Sequence, residues 1–421
     1  MKMNIKSLLI ILVAPFVLFA QSQPNQALIG PGSSDYIHGG VTEYFKDSAS
    51  LSYWIYEPSQ PRPDTADLVV FLHGMGQINP MIHAEWITHL VKKGNIVVYP
   101  KYQDDLNVST DSFMSFASQS IKMSIAKLKT TGHVTPNLDH FAIIGHSYGG
   151  AIAANLTYDY MAYDIPKVKA LMVAQGYYGT DMLLPTYVNF PYDTKIQLVV
   201  GNDDTTVEDD FGRLLMDSAN VNPAFKNLIT HYADPHGFPS VTARHDDPTC
   251  ISPSQDYNSG QFNYWVVGAQ FLDKVDVTDY YCYWKLSEAL LNCTFYNTNC
   301  EYAFGDTPEQ RFMGQWSDST AIVELTVEPN ATVSTHLIQD KTLAISLYPN
   351  PSSDFVQIKV EELIEEAIIQ LFSPLGQLLL EEKGISLETG YKIDLPTANG
   401  FYYLKIQQGN AIYISKILKL E

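Results

Sequence analysis

Between residues 68 and 232 short apolar runs alternate with longer segments of helical spacing, and this alternation constrains the fold more than any other feature. Residues 68–72 (LVVFL), 95–99 (NIVVY), 141–144 (FAII), 168–174 (VKALMVA), 196–200 (IQLVV) and 228–232 (LITHY) read as short strands. Between them, residues 81–92 bring Ile82, Trp86, Ile87, Leu90 and Val91 onto or near one helical face. Residues 109–128 do the same with Phe113, Phe116, Ile121, Ile125 and Leu128, and residues 149–158 are rich in alanine and leucine. Strands buried on both faces and joined by helices require a largely parallel sheet with right-handed crossovers. The predicted class is α/β: a mostly parallel sheet flanked by helices.

At 421 residues the chain exceeds the usual size of one domain. Residues 1–20 place Lys2 and Lys6 before an apolar run that ends in Leu-Phe-Ala, the pattern of a cleaved signal peptide. Residues 21–328 are expected to form the α/β domain and residues 329–341 a polar linker. From residue 342 to 421, alternating β-branched segments punctuated by Gly376, Gly384, Gly390, Gly400 and Gly409 predict a small all-β sandwich.

A formal net charge of −20 argues against nucleic acid or an anionic membrane surface as partner, since both need clustered Lys and Arg. No segment after the first twenty residues carries 18 apolar residues in a row, so no stable membrane insertion is expected. The four cysteines lie late in the chain. Cys293 and Cys300 enclose a short Asn/Thr-rich loop and are the favoured disulfide, leaving Cys250 with Cys282. The CxxC spacing of a zinc site is absent, and no metal is predicted there.

The chemistry centres on FAIIGHSYGGAIAA, residues 141–154. Gly145-His-Ser-Tyr-Gly149 follows a strand and opens a helix, the context that turns G-x-S-x-G into a nucleophile motif. A serine on so sharp a turn needs glycines where neighbouring backbone comes close, and the turn lifts Ser147 to the carboxyl edge of the sheet. Upstream, His73-Gly74-Met75-Gly76 ends a strand, and Met75 with Tyr148 are the candidate oxyanion amides. An acid and a base should follow in that order. Asp204, one turn beyond the strand ending at Val200, is the candidate acid, with Asp203 as its alternative. His236, in Asp234-Pro-His-Gly237 just past the last strand, is the candidate base, with His245 as its alternative. Glu208, Asp209 and Asp210 read as the acidic first turn of a helix, with calcium as the competing reading.

With these pieces in place, residues 40–320 resemble the α/β-hydrolase superfamily, and within it the secreted esterases and lipases. The resemblance implies Ser147 as nucleophile, His236 as general base then acid, Asp204 as orienting carboxylate, an acyl-enzyme intermediate, and no cofactor. The span of about twenty residues between the strands ending at Ala174 and starting near Lys195 is too short for a large lid. That favours a carboxylesterase or cutinase-like polyester hydrolase, acting on a small-molecule or polymeric ester. A peptidase on the same fold and a catalytically silent binding protein are the alternatives. The carboxyl-terminal sandwich resembles the type A sorting domain of the type IX secretion system, through Tyr348-Pro-Asn-Pro-Ser352, Leu375-Gly376-Gln377, Gly400-Phe-Tyr402 and Lys416-Ile-Leu-Lys419. It implies that machinery as a partner and export through the periplasm of a Gram-negative bacterium to its surface or medium.

Overall fold

A computed structural model describes residues 21–104, 109–179, 182, 184, 187–252, 274–329, 345–360, 363–373, 378–408 and 411–420. The signal-peptide expectation, most of the linker, Leu375-Gly376-Gln377 and Gly409 lie outside these residues. The chain divides into two compact units, residues 1–330 and 331–421.

In the first unit nine strands form one sheet in the order β1-β2-β4-β3-β5-β6-β7-β8-β9. They are β1 (Gly40–Lys46), β2 (Tyr53–Ser59), β3 (Thr65–Leu72), β4 (Asn95–Pro100), β5 (Thr135–His146), β6 (Ala170–Ala174), β7 (Lys195–Gly201), β8 (Lys226–His231) and β9 (Thr326–Pro329). Strands β3 to β8 run parallel, and β1, β2 and β9 extend the sheet antiparallel. The central strands are apolar on both sides because both faces are covered. Leu68, Val70 and Leu72 of β3 enter one core layer, while Val69 and Phe71 enter the other.

The first layer is closed by α2 (Phe113–Leu128), α3 (Tyr148–Tyr158) and α4 (Asp210–Ser218). The second is closed by α1 (Ala84–Lys92) and α5 (Trp284–Tyr296), the latter entered through a π turn at Asp279–Tyr283. Each fully buried Val, Leu or Ile stabilises the fold by roughly 1.5–3 kcal/mol relative to exposure. The helix expected from residue 81 begins as a 3-10 turn, Pro80–His83, which Asn79 caps by accepting from the Met81 amide at 2.9 Å.

The cysteine expectation divides. Cys293 and Cys300 are disulfide-bonded, with 4.7 Å between their Cα atoms. Cys250 and Cys282 are not a pair: both are buried free thiols. Cys250 Sγ accepts from the Trp86 amide at 3.1 Å, and burial pushes both thiols up, so they pack as small apolar groups.

The second unit is all β. A three-stranded antiparallel sheet is built from β10 (Ile345–Tyr348), β11 (Phe355–Val360) and β14 (Tyr391–Asp394). A four-stranded one is built from β12 (Ile364–Phe372), β13 (Leu378–Leu387), β15 (Gly400–Gln408) and β16 (Ala411–Lys419). Alternate residues, among them Val356, Ile358, Ile369, Leu371, Leu404 and Ile406, form one apolar core drawn from both sheets.

Candidate active site

Ser147 stands between β5 and α3 with φ 54° and ψ −122°, a backbone that a non-glycine residue rarely adopts. Its amide donates to the Ala174 carbonyl at 3.1 Å, and its own carbonyl accepts from Gly150 and Tyr177 at 2.9 and 3.0 Å. These bonds fix the turn from both sides. The flanking glycines are a steric requirement: a Cβ on Gly145 would collide with the Gly149 carbonyl, and one on Gly149 with the Leu72 carbonyl. The serine is therefore held at the carboxyl ends of β3, β5 and β6.

Asp204 follows β7. Its Oδ1 accepts from the amides of Thr206 and Val207 at 2.8 and 3.2 Å, leaving Oδ2 to the imidazole of His245. Asp204 is 5% exposed, whereas Asp203 points to solvent. His245 Nδ1 lies 2.8 Å from Asp204 Oδ2, and Nε2 lies 3.0 Å from Ser147 Oγ. Serine, imidazole and carboxylate thus form one continuous chain.

The structure does not bring the expected base, His236, to Ser147. His236 is exposed and pairs through Nε2 with Asp318 Oδ2 at 2.8 Å, with its ring beside Trp316. The cause lies in how the chain leaves β8. Asp234 and Val241 exchange backbone hydrogen bonds at 3.0 Å, so residues 235–240 form a separate loop, held to Gln21, that carries His236. The chain returns over the end of β7, where the Ala243 carbonyl accepts from Asp203 at 3.0 Å, and only then presents His245. His245 itself lies in a turn.

The carbonyls around His245 are each held. Arg244 O accepts from Gln175 Nε2 at 2.6 Å, and His245 O from His146 Nε2 at 2.9 Å. Asp247 shapes the same turn, accepting from Thr242 Oγ1 at 2.6 Å and from the Arg244 amide at 2.7 Å. Burial pushes the Asp247 carboxyl up to about 7. Burial also holds the surrounding imidazoles neutral, with His83 down to about 3, His73 and His231 down to about 4, and His146 well below the ordinary value.

The loop after β3 lies against the serine: a Cβ on Gly74 would come within 3.2 Å of Ser147 Cβ. His73 braces this loop, with Nδ1 2.7 Å from Gly74 O, Nε2 2.7 Å from Lys101 O and its ring stacked on Tyr102 at 4.0 Å. The Gly76 amide donates to Gln103 Oε1 at 2.8 Å, and Gln103 Nε2 reaches Met75 Sδ at 2.9 Å. Tyr148 opens α3 directly after the serine, and its ring stacks on Tyr177 with centroids 3.9 Å apart. Gly74, the residue before Met75, thus lies against Ser147, and Tyr148 follows the serine in the chain.

A separate cavity of about 350 Å³ lies at the other end of the sheet, where Thr65, Asp67 and Asn95 begin β3 and β4, and it takes no part in this cluster. Among the described residues no group of three or more His, Cys, Asp or Glu side chains is arranged to hold a metal ion.

Sequence reading did not single out Gln77 or His83, and it ranked His245 only as the alternative base. Spacing could not assign His245, because it counts residues beyond a strand and cannot show a loop doubling back.

Comparison with known proteins agrees with this architecture. The family model described as Chlorophyllase matches residues 42–186, and the one described as Secretion system C-terminal sorting domain matches residues 346–420. A kynurenine formamidase from Danio rerio is 27% identical over 151 residues, which cover 35% of this chain and 49% of that protein. The chain therefore spans about half the length of the curated relative it matches. Among solved structures, one from an analysis of two fungal esterases from Rhizomucor miehei and their substrate specificity covers 47% of this chain and 76% of its own. That likeness has a TM-score of 0.36 and 14% identity. The chain thus joins a unit built on a mostly parallel sheet, similar over residues 42–186 to the Chlorophyllase family, to an all-β unit similar over residues 346–420 to a secretion-system sorting domain.

Proposed function

We propose that the protein is a secreted serine ester hydrolase in which Ser147 is the nucleophile, His245 the general base and then acid, and Asp204 the carboxylate that orients it. The observation that carries this reading is the hydrogen-bonded chain Asp204 Oδ2, His245 Nδ1 and Nε2, Ser147 Oγ, at 2.8 and 3.0 Å. Asp204 holds the His245 proton on Nδ1, so Nε2 presents a lone pair to the serine hydroxyl. As Oγ attacks the acyl carbon, the serine hydroxyl proton passes to Nε2 and the carbonyl oxygen becomes an oxyanion. Amides at Met75 and Tyr148 are the proposed donors to it. The imidazolium then protonates the departing alcohol, leaving an acyl group on Ser147, and water activated by His245 releases the acid.

The match to the Chlorophyllase family supports an ester as substrate. The partial likeness to a kynurenine formamidase supports a second substrate class for the same groups, a short acyl amide. The sorting domain supports export to the surface or medium of a Gram-negative bacterium.

The test is reaction with a fluorophosphonate, followed by initial rates on p-nitrophenyl esters of two to sixteen carbons and on an N-formyl anilide. Labelling at Ser147 with ester turnover is the expected result. A protein that takes no label and turns over neither substrate would leave the silent binding reading in its place. Turnover of the anilide alone would replace ester with amide.

A further inference from the structure

Gln77 is 7% exposed and sits where three functional segments meet. Its Oε1 accepts from the Gly74 amide at 2.8 Å, in the loop proposed to bind the oxyanion. The same oxygen accepts from His83 Nε2 at 3.0 Å and lies 3.1 Å from His146 Nδ1. His146 is the residue before Ser147, and its Nε2 donates to the carbonyl of His245 at 2.9 Å. His83 Nδ1 lies 3.2 Å from the Pro248 carbonyl, three residues further along the His245 loop. The Gln77 backbone is pinned as well: its amide donates to Gly74 O at 3.1 Å, and its carbonyl accepts from the Tyr99 hydroxyl at 2.5 Å. Both imidazoles are buried, with ring centroids 5.5 Å apart. The one N–H of His83 goes to Gln77 and that of His146 to His245 O, so their Nδ1 atoms meet Pro248 O and Gln77 Oε1 as packing contacts only.

We propose that Gln77 is a positioning residue, whose carboxamide, with the buried rings of His83 and His146, fixes the Gly74 loop, the Ser147 turn and the His245 loop in mutual register. The proposal rests on the serine-hydrolase reading above. Nothing in it requires Gln77 to touch substrate. Its effect falls on the geometry of attack, where a misplacement of the order of 1 Å is worth about 100-fold in rate.

The experiment measures kcat and KM on a short p-nitrophenyl ester for the full chain, with rates counted per serine titrated by fluorophosphonate. Gln77→Met keeps the length of the side chain and removes the acceptor. It is expected to lower kcat per titrated serine by about 10- to 100-fold, with KM within about threefold. Gln77→Glu restores an acceptor oxygen but sets a carboxylate beside two imidazoles, which favours their charged forms. It is expected to recover most of kcat near neutral pH and to add a new ionisation to the pH–rate profile. A folded Gln77→Met enzyme with an unchanged kcat per titrated serine overturns the proposal. If Gln77→Met does not fold, a Gln77→Glu profile that superposes on the wild type overturns it instead. Absence of wild-type labelling at Ser147 removes the hydrolase reading and this proposal together, an outcome distinct from the other two.

Discussion

At Ser147 the positive φ of 54° costs of the order of 1–3 kcal/mol for a residue with a side chain, and the surrounding hydrogen bonds hold it there. What the strain gives is an Oγ held 3.0 Å from His245 Nε2. Ser147→Ala is expected to lower ester turnover at least about 1,000-fold with little change in the thermal midpoint, measured by initial rates and calorimetry. Asp204→Asn is a subtler probe. The amide oxygen can still accept from Thr206 and Val207, but an NH₂ then faces His245 Nδ1 and forces the imidazole proton onto Nε2, toward the serine. A loss of about 10,000-fold in kcat without unfolding is expected, and near-normal turnover would contradict the role assigned to the carboxylate. Ser147 and Asp204 were legible in the sequence because each lies directly beyond a strand. His245 stood there only as the alternative base, because it comes after the loop that Asp234 and Val241 close.

At the scale of elements, the approach of α3 to β3 depends on Gly149, whose missing side chain lets the Leu72 carbonyl come close. Gly149→Ala drives a methyl into backbone that has nowhere to move. A destabilisation of about 2–3 kcal/mol is expected in denaturant unfolding, with loss of activity in the fraction that folds. Unchanged stability would mean that the turn is looser than described. The parallel strands and helices were readable because their apolar periods are uninterrupted. The antiparallel β1 and β2 were not. Glu57 interrupts the apolar pattern of β2, yet in the fold it is buried against His133 at 2.6 Å and the Val134 amide. That compensation comes from a segment 76 residues away and is invisible to local pattern.

For the whole molecule, the buried imidazoles make acid a stress. His73, His83, His146 and His231 are held neutral in the native state, with values of about 4, about 3, well below 6.5, and about 4. Once the pH falls below the ordinary value of 6.5, the unfolded chain binds protons that the native state refuses. The stability these groups contribute is therefore complete above pH 6.5 and is lost as the pH falls toward their native values. Asp247, whose carboxyl is raised to about 7, and Asp276, which burial also raises, work in the opposite sense, but they are two groups against four histidines. The thermal midpoint is expected to fall steadily from pH 6.5 to pH 4. A flat or rising midpoint over that window, in a calorimetric series, would contradict this picture of the buried rings. Residues 331–421 form a compact unit with its own apolar core, so removing them is expected to leave kcat per titrated serine within about twofold.

The most direct test of the account compares initial ester-hydrolysis rates of His245→Ala and His236→Ala with the wild type, at equal folded concentration. With His245 between Asp204 and Ser147, His245→Ala is expected to lose about 10,000-fold or more. His236→Ala, at the exposed pair with Asp318, should stay within about twofold of the wild type. Loss of turnover in His236→Ala with activity kept in His245→Ala would contradict the assignment of the catalytic base.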